Sequence, residues 1–308
     1  MSIIKAILRL VWKLTKVVLR EMFKPKRVIN ACLAMLLISF LTINYFDIHR
    51  FVVKEKTIKT KKLKKGKQVK FLLLADLHSA RFGRDNKKLI KKIYDIDPDY
   101  VIIAGDMMTA RRHCDNEDAI AFMNALTKNY KVYYGLGNHE YRSRIYPDTY
   151  GNMYKEYFDA IASRNLTVLD NDSVTVGDFE ILGLTVDRKY YKRLSFQPME
   201  KDYVKHTIGE ADPDKFSILI AHNPEYGDAY FDYGADLFVS GHLHGGIIRL
   251  PGIGGVASPS FKLFPKYSGG LYEKRGRYGY VSCGLGTHTV PIRFNNPGEI
   301  TVITVEGE

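Results

Sequence analysis

The sequence predicts an α/β protein: two packed mixed β-sheets flanked by helices, preceded by an N-terminal membrane helix. Three observations carry this. From residue 69 onwards, short apolar runs alternate with stretches of helical spacing. Most of those runs end in Gly, Asp, Asn or His, residue types that suit the turn after a strand. Ahead of them, the nineteen residues 28–46 (VINACLAMLLISFLTINYF) carry no charge. As a helix they would span about 28 Å, close to the hydrocarbon thickness of a bilayer.

Residues 1–27 read as a basic amphipathic helix. Ile4, Ile7, Leu8, Val11, Leu14, Val18, Leu19 and Met22 recur at helical spacing, while Lys5, Arg9, Lys13, Lys16 and Arg20 follow another face. Such a helix suits the headgroup plane of a membrane. The apolar run starts late and lacks a small-residue cleavage site, which disfavours a signal peptide. Seven Lys/Arg lie in the twenty residues before it and eight in the twenty after it, so charge alone does not orient it. The second group alternates in part with apolar residues, and 47–68 reads as a basic linker or edge strand. That leans towards a single-pass cell-membrane protein with its N-terminus inside and the following domain, 69–308, extracytoplasmic.

Within 69–308, Val69–Ala75 is a buried strand ending at Asp76. Lys87–Tyr94 has helical spacing, and Tyr100–Ala104 is a second strand leading to Gly105-Asp106. Ala119–Leu126 reads as a helix and Lys131–Tyr134 as a third strand. This βαβαβ order implies a parallel sheet covered on both faces. Further on, 173–176 and 179–184 flank Gly177-Asp178, a hairpin signal. Strands are also predicted over Phe216–Ala221, Leu237–Ser240, Tyr278–Ser282 and Glu299–Val305. No internal repeat is evident.

The 308 residues are 45% hydrophobic, enough for a sizeable core. A net charge of +12 favours anionic partners such as lipid headgroups, phosphorylated substrates or nucleic acid, although the excess is concentrated near the N-terminus. The three cysteines have no paired spacing, which argues against a disulfide framework.

Five segments stand out: Asp76-Leu77-His78, Gly105-Asp106, Gly137-Asn138-His139-Glu140, His222, and Gly241-His242-Leu243-His244. They hold five of the nine histidines. His49, His113 and His206 lie outside them and read as surface residues. In α/β sheets, ligands gather beyond the carboxyl ends of strands, so these segments are expected to converge. Carboxylate, imidazole and amide groups together suit a pair of divalent ions. Asp76 and His78, like His242 and His244, would share one face if the backbone stayed extended. Singly each segment is an ordinary turn; the ordered set after buried strands is not.

These motifs resemble the calcineurin-like metallophosphoesterases over roughly residues 69–305. Gly241-His242-Leu243-His244-Gly245-Gly246, Leu250-Pro251, 263–267 (LFPKY), 284–287 (GLGT) and 291–294 (PIRF) resemble a membrane-associated bacterial branch of that superfamily. The resemblance implies a four-layer sandwich. It implies one metal held by Asp76, His78, Asp106 and His244, and another held by Asp106, Asn138, His222 and His242. Asp106 would bridge them, Asn138 would also touch the substrate phosphate, and His139, not a ligand, would stabilise the transition state or protonate the leaving oxygen. All eight positions are filled. Leu243 and Ile247 replace the Thr and Gln common in the branch, at positions that are not ligands.

Two divalent ions, Mn²⁺ first with Fe or Zn²⁺ as alternatives, would activate a water for attack on phosphorus. The expected activity is hydrolysis of a phosphodiester or pyrophosphate, of a lipid-linked substrate at the membrane surface. The loop Arg188–Arg193 is expected to meet anionic headgroups. The alternatives are a phosphodiesterase or nuclease acting on soluble nucleotides or nucleic acid, and a metal-binding module without turnover. An anchor fits nucleic acid poorly as a partner.

Overall fold

The computed structural model describes residues 2–22, 24–78, 80–192, 197–258, 262–287 and 291–308. The chain divides into two units, Met1–Tyr45 and Phe46–Glu308.

The first unit comprises α1 (Ser2–Met22) and most of α2 (Pro25–His49), whose last residues belong to the second unit. On α1, Ile7, Leu8, Val11, Leu14 and Val18 are all exposed. On α2, Ile29, Leu33, Leu36, Leu37 and Leu41 are exposed as well. By length and composition α2 is able to cross a membrane.

The second unit begins with β1 (Phe51–Thr60), β2 (Gln68–Leu74), α3 (Lys87–Ile96), β3 (Tyr100–Ala104), α4 (Glu117–Thr127) and β4 (Lys131–Gly135). There follow α5 (Asn138–Ile145), α6 (Pro147–Tyr150), α7 (Met153–Ala160), β5 (Leu166–Leu169), β6 (Asp172–Val176), β7 (Phe179–Leu184) and α8 (Tyr203–Ile208). The chain continues through β8 (Phe216–Ala221), α9 (Gly227–Tyr233), β9 (Leu237–Ser240), β10 (Arg249–Leu250) and β11 (Gly254–Gly255). It finishes with β12 (Gly270–Lys274), β13 (Arg277–Val281) and β14 (Gly298–Gly307).

One six-stranded sheet has the order β1-β14-β2-β3-β4-β5, the other β12-β13-β9-β8-β7-β6. In the first, β2 to β5 are parallel, β14 runs antiparallel to β2, and β1 lies parallel along β14 as the edge strand. In the second, β13, β9, β8 and β7 are parallel, with β12 and β6 antiparallel at the edges. The β6–β7 hairpin closes at Val176↔Phe179, leaving Gly177-Asp178 as its two-residue turn.

Period-two alternation builds the layers. Leu72, Leu74, Val101, Ile103, Val132 and Tyr134 pack with Leu89 and Ile93 of α3 and Phe122 and Met123 of α4. Their neighbours Phe71, Leu73, Ile102 and Tyr133 face the opposite way, against Ile181, Ile218, Ile220 and Val239 of the second sheet. The outer face of that sheet, Leu182, Leu184 and Leu219, carries Val204 of α8 and Tyr230 and Phe231 of α9. Helices, sheet, sheet and helices make four layers, and the central parallel strands β2, β3, β4, β7, β8 and β9 are buried on both faces, as such sheets require.

Candidate metal centre

The five segments converge. Asp76 follows β2, Asp106 follows β3, Asn138 opens α5 just after β4, His222 follows β8, and His242 and His244 follow β9. Asp76 Oδ1 lies 3.8 Å from His78 Nε2, 3.8 Å from His222 Nε2 and 3.7 Å from His244 Nε2. Asp106 Oδ2 lies 3.7 Å from His78 Nε2 and 3.1 Å from His222 Nε2. Among the described residues, potential ligand atoms fall into three groups, Asp76-His78-His244, Asp106-His222-His242 and His78-Asp106-His139, each within 4.8 Å. His49, His113 and His206 are exposed.

The backbone at these positions is not extended, contrary to the expectation for Asp76/His78 and His242/His244. Asp76, His78, Asp106, His242 and His244 have φ of 53°, 46°, 55°, 67° and 49°. Each chain turns sharply at its strand end, and the i, i+2 pairs reach one centre through left-handed residues. Non-glycine residues seldom adopt this conformation, and it clusters at functional sites. The turns are held by Asp76 N–H to Gly105 O (3.0 Å) and His78 N–H to Asp106 O (3.2 Å). Two glycines allow the close approach. A Cβ at Gly137 would lie 2.2 Å from Asp106 Oδ1, and one at Gly241 would lie 2.5 Å from Asp76 Oδ2.

Hydrogen bonds aim the donor atoms. His222 Nδ1 lies 2.5 Å from Ala104 O and His244 Nδ1 3.1 Å from Gly286 O. Each Nδ1–H therefore donates to a carbonyl, which leaves Nε2 as the nitrogen that faces the centre. His139 has the opposite arrangement. Its Nδ1 accepts the Ala110 N–H at 2.8 Å, so the neutral ring carries its proton on Nε2. The His242 N–H donates to both Asp76 oxygens (3.1 and 2.9 Å), and the His139 N–H donates to Asp106 Oδ1 (2.7 Å).

The electrostatics call for a cation. Burial pushes the Asp76 carboxyl up to about 7. Burial also opposes ionisation of Asp106, but His222, His139 and His78 hold it well below the ordinary carboxylate range. At His222, burial lowers the pKa and the Asp106 and Asp76 charges outweigh it, raising it to about 10. The two buried carboxylates thus recruit a proton onto His222, a role that divalent ions would take over. The buried Asn138 Oδ1 makes no hydrogen bond among the described residues, which fits a ligand atom.

Residues that lie within the sequence motifs but are not among the expected ligands also shape the site. Buried Glu140 accepts from the N–H groups of Asp106 (2.9 Å), Met107 (2.9 Å), Met108 (3.3 Å) and Gly137 (3.0 Å), and from the Tyr134 hydroxyl (2.7 Å). The Gly137–Glu140 spacing is that of a helix-capping pair, a signal present in the sequence. Arg293, 1% exposed, donates to the carbonyls of Cys283, Gly284 and Gly286 behind His244. Tyr191 sets its ring against His242 at 5.1 Å. In the loop expected to meet headgroups, Lys189 is paired with Glu200 (2.6 Å) and Tyr190 is buried; Arg193 lies outside the described residues.

The family model for calcineurin-like phosphoesterase matches residues 69–246, more than half of the chain. A metallophosphoesterase of Aquifex aeolicus is 27% identical, over 79% of this chain and 87% of its own length. One from Campylobacter jejuni is 30% identical over 79% of this chain, which spans 60% of that relative. A UDP-2,3-diacylglucosamine pyrophosphatase of Chlamydia muridarum is 24% identical, over 76% of this chain and 83% of the relative. The chain belongs to the calcineurin-like phosphoesterases, metal-dependent hydrolases of phosphoric esters.

Proposed function

We propose that this protein hydrolyses a phosphodiester or pyrophosphate bond of a lipid-linked substrate at a membrane surface. The observation that carries the chemistry is Asp106 Oδ2, set 3.7 Å from His78 Nε2 and 3.1 Å from His222 Nε2. A carboxylate shared between two histidine groups suits a bridge between two ions. Asp76, His78, Asp106 and His244 would hold one ion; Asp106, Asn138, His222 and His242 the other. Bound there, Mn²⁺, Fe or Zn²⁺ would supply Lewis-acid charge to the phosphoryl oxygens and acidify a water.

The chain's own groups do the rest. Asn138 holds a phosphoryl oxygen through its amide. His139 gives the Nε2 proton to the departing oxygen, and the Ala110 N–H on Nδ1 keeps the proton on the side facing the centre. Glu140 fixes the Asp106 turn against the start of α5, so that ligand and acid keep their spacing.

The membrane reading is supported by α2 and by the Chlamydia relative, whose named substrate is a nucleotide-linked acylated sugar. We place the catalytic unit outside the cytoplasm. Three of the basic residues after α2, Lys54, Lys56 and Lys59, lie in β1, and Lys62 pairs with Asp236 (2.8 Å). They belong to a folded domain, which leaves the basic residues of α1 and 24–27 to set orientation.

The test is phosphoryl hydrolysis by full-length, Mn²⁺-loaded protein in vesicles, comparing a nucleotide-linked lipid with a soluble diester and using Asp106→Ala as the control. Faster cleavage of the lipid, lost in the variant, supports the proposal. Preference for the soluble diester overturns the lipid assignment, and wild-type rates in Asp106→Ala overturn the chemistry.

A further inference from the structure

Asp47 sits in the last turn of α2, where the helix dipole disfavours a carboxylate. It is nevertheless 1% exposed, beside a Phe46 that is 59% exposed. Three donors hold it. Arg50 reaches Oδ1 through Nε (3.0 Å) and Nη2 (2.7 Å), and the Asn296 backbone N–H reaches Oδ2 at 2.8 Å. The Asp47 side chain thus ties residue 296 to the point where the chain enters the catalytic unit.

Asn296 is itself buried, and its side chain faces the metal-ligand loop. Both Nδ2 hydrogens are used, on His244 O at 2.7 Å and on Gly246 O at 2.7 Å. The loop wraps so closely that a Cβ on Gly245 would lie 2.6 Å from Asn296 Oδ1. His244 and both glycines have positive φ, of 49°, 70° and 82°. This is a backbone that a histidine leaves unless its surroundings hold it. The two amide bonds bracket that turn, while Gly286 O fixes the ring from the other side.

We propose that Asn296 is a positioning residue for the metal ligand His244, and that Asp47 orients Asn296, linking the end of α2 to one of the two metal positions. The inference rests on the metal centre proposed above. It assigns to two residues, neither of them a ligand, control over how well the ion shared by Asp76, His78 and His244 is held. Partners of this kind typically change metal affinity by about 10–100-fold.

The experiment is Mn²⁺ titration of the full-length protein, read as two binding steps, with Asn296→Ala, Asp47→Ala and Asp47→Asn beside the wild type. Asn296→Ala is expected to weaken one step by about tenfold or more and leave the other in place, with hydrolysis recovering at high Mn²⁺. Asp47→Ala should weaken the same step less. Asp47→Asn, which keeps an acceptor for the Asn296 N–H, should restore the affinity that Asp47→Ala loses. A merely structural role would lower the melting temperature without separating the two steps. Two unchanged steps in both alanine variants overturn the inference and leave the metal centre standing, as does an equal loss of both steps. A wild type that binds no Mn²⁺ overturns the centre itself, and the inference with it.

Discussion

The backbone N–H of Ala110 donates to His139 Nδ1 at 2.8 Å. This single bond separates His139 from the histidines around it, although its ring lies only 4.7 Å from that of His78. A ligand histidine needs a proton on the nitrogen far from the ion, and His222 and His244 both direct that far nitrogen at a carbonyl. His139 is arranged the other way round, as the proposed proton donor requires.

His139→Gln or His139→Ala should therefore lower kcat by about 10²-fold or more while Mn²⁺ affinity stays near wild type. The loss should be greater for an alkyl leaving group than for a nitrophenolate, which departs without a proton. Equal losses on both substrates, or loss of metal with the ring, would remove the acid assignment.

Glu140 predicts a stability effect. Five donors meet one buried carboxylate, four of them backbone N–H groups from two different turns. Glu140→Gln turns an accepting oxygen into a donor facing donors and leaves buried N–H groups unmet. We expect a cost of about 2–5 kcal/mol, read from urea unfolding. Activity should fall as well, because the Asp106 turn and the start of α5 lose their common fastening. A change within about 0.5 kcal/mol would show that the bonds to Glu140 are dispensable.

Much of this centre was legible in the sequence, for a physical reason. Strands buried on both faces read as unbroken apolar runs, so Val69–Ala75, Tyr100–Ala104 and Phe216–Ala221 announce themselves. The residues just past their ends, Asp76, Asp106 and His222, then fall where such sheets bind ligands. Other features carry no local signal. β10 and β11 are only two residues each, too short for any periodicity to register. The left-handed turns at Asp76 and His244 are imposed by contacts such as Gly105 O and Asn296 Nδ2, distant in sequence. Asn296 and Asp47 are 249 residues apart, and nothing in either neighbourhood marks the other.

The last prediction concerns pH and metal removal. Without ions, the folded protein holds Asp76 at about 7, against 3.8 for an ordinary aspartate, and His222 at about 10, against 6.5. Both values are raised, so between them the folded chain binds more protons than the unfolded chain, and stability falls as pH rises. The Asp76 contribution disappears between 3.8 and about 7, that of His222 between 6.5 and about 10. Asp106 is shifted the other way, and its effect is confined to pH below its ordinary 3.8. Bound ions need deprotonated ligands, so their stabilisation grows over the same window. Chelator-stripped protein should therefore melt at progressively lower temperature from about pH 5.5 to about pH 8.5. The Mn²⁺-loaded protein should fall less, and the gap between the two should widen. A gap that narrows with rising pH would mean that the carboxylates and histidines of this cluster do not hold the ions.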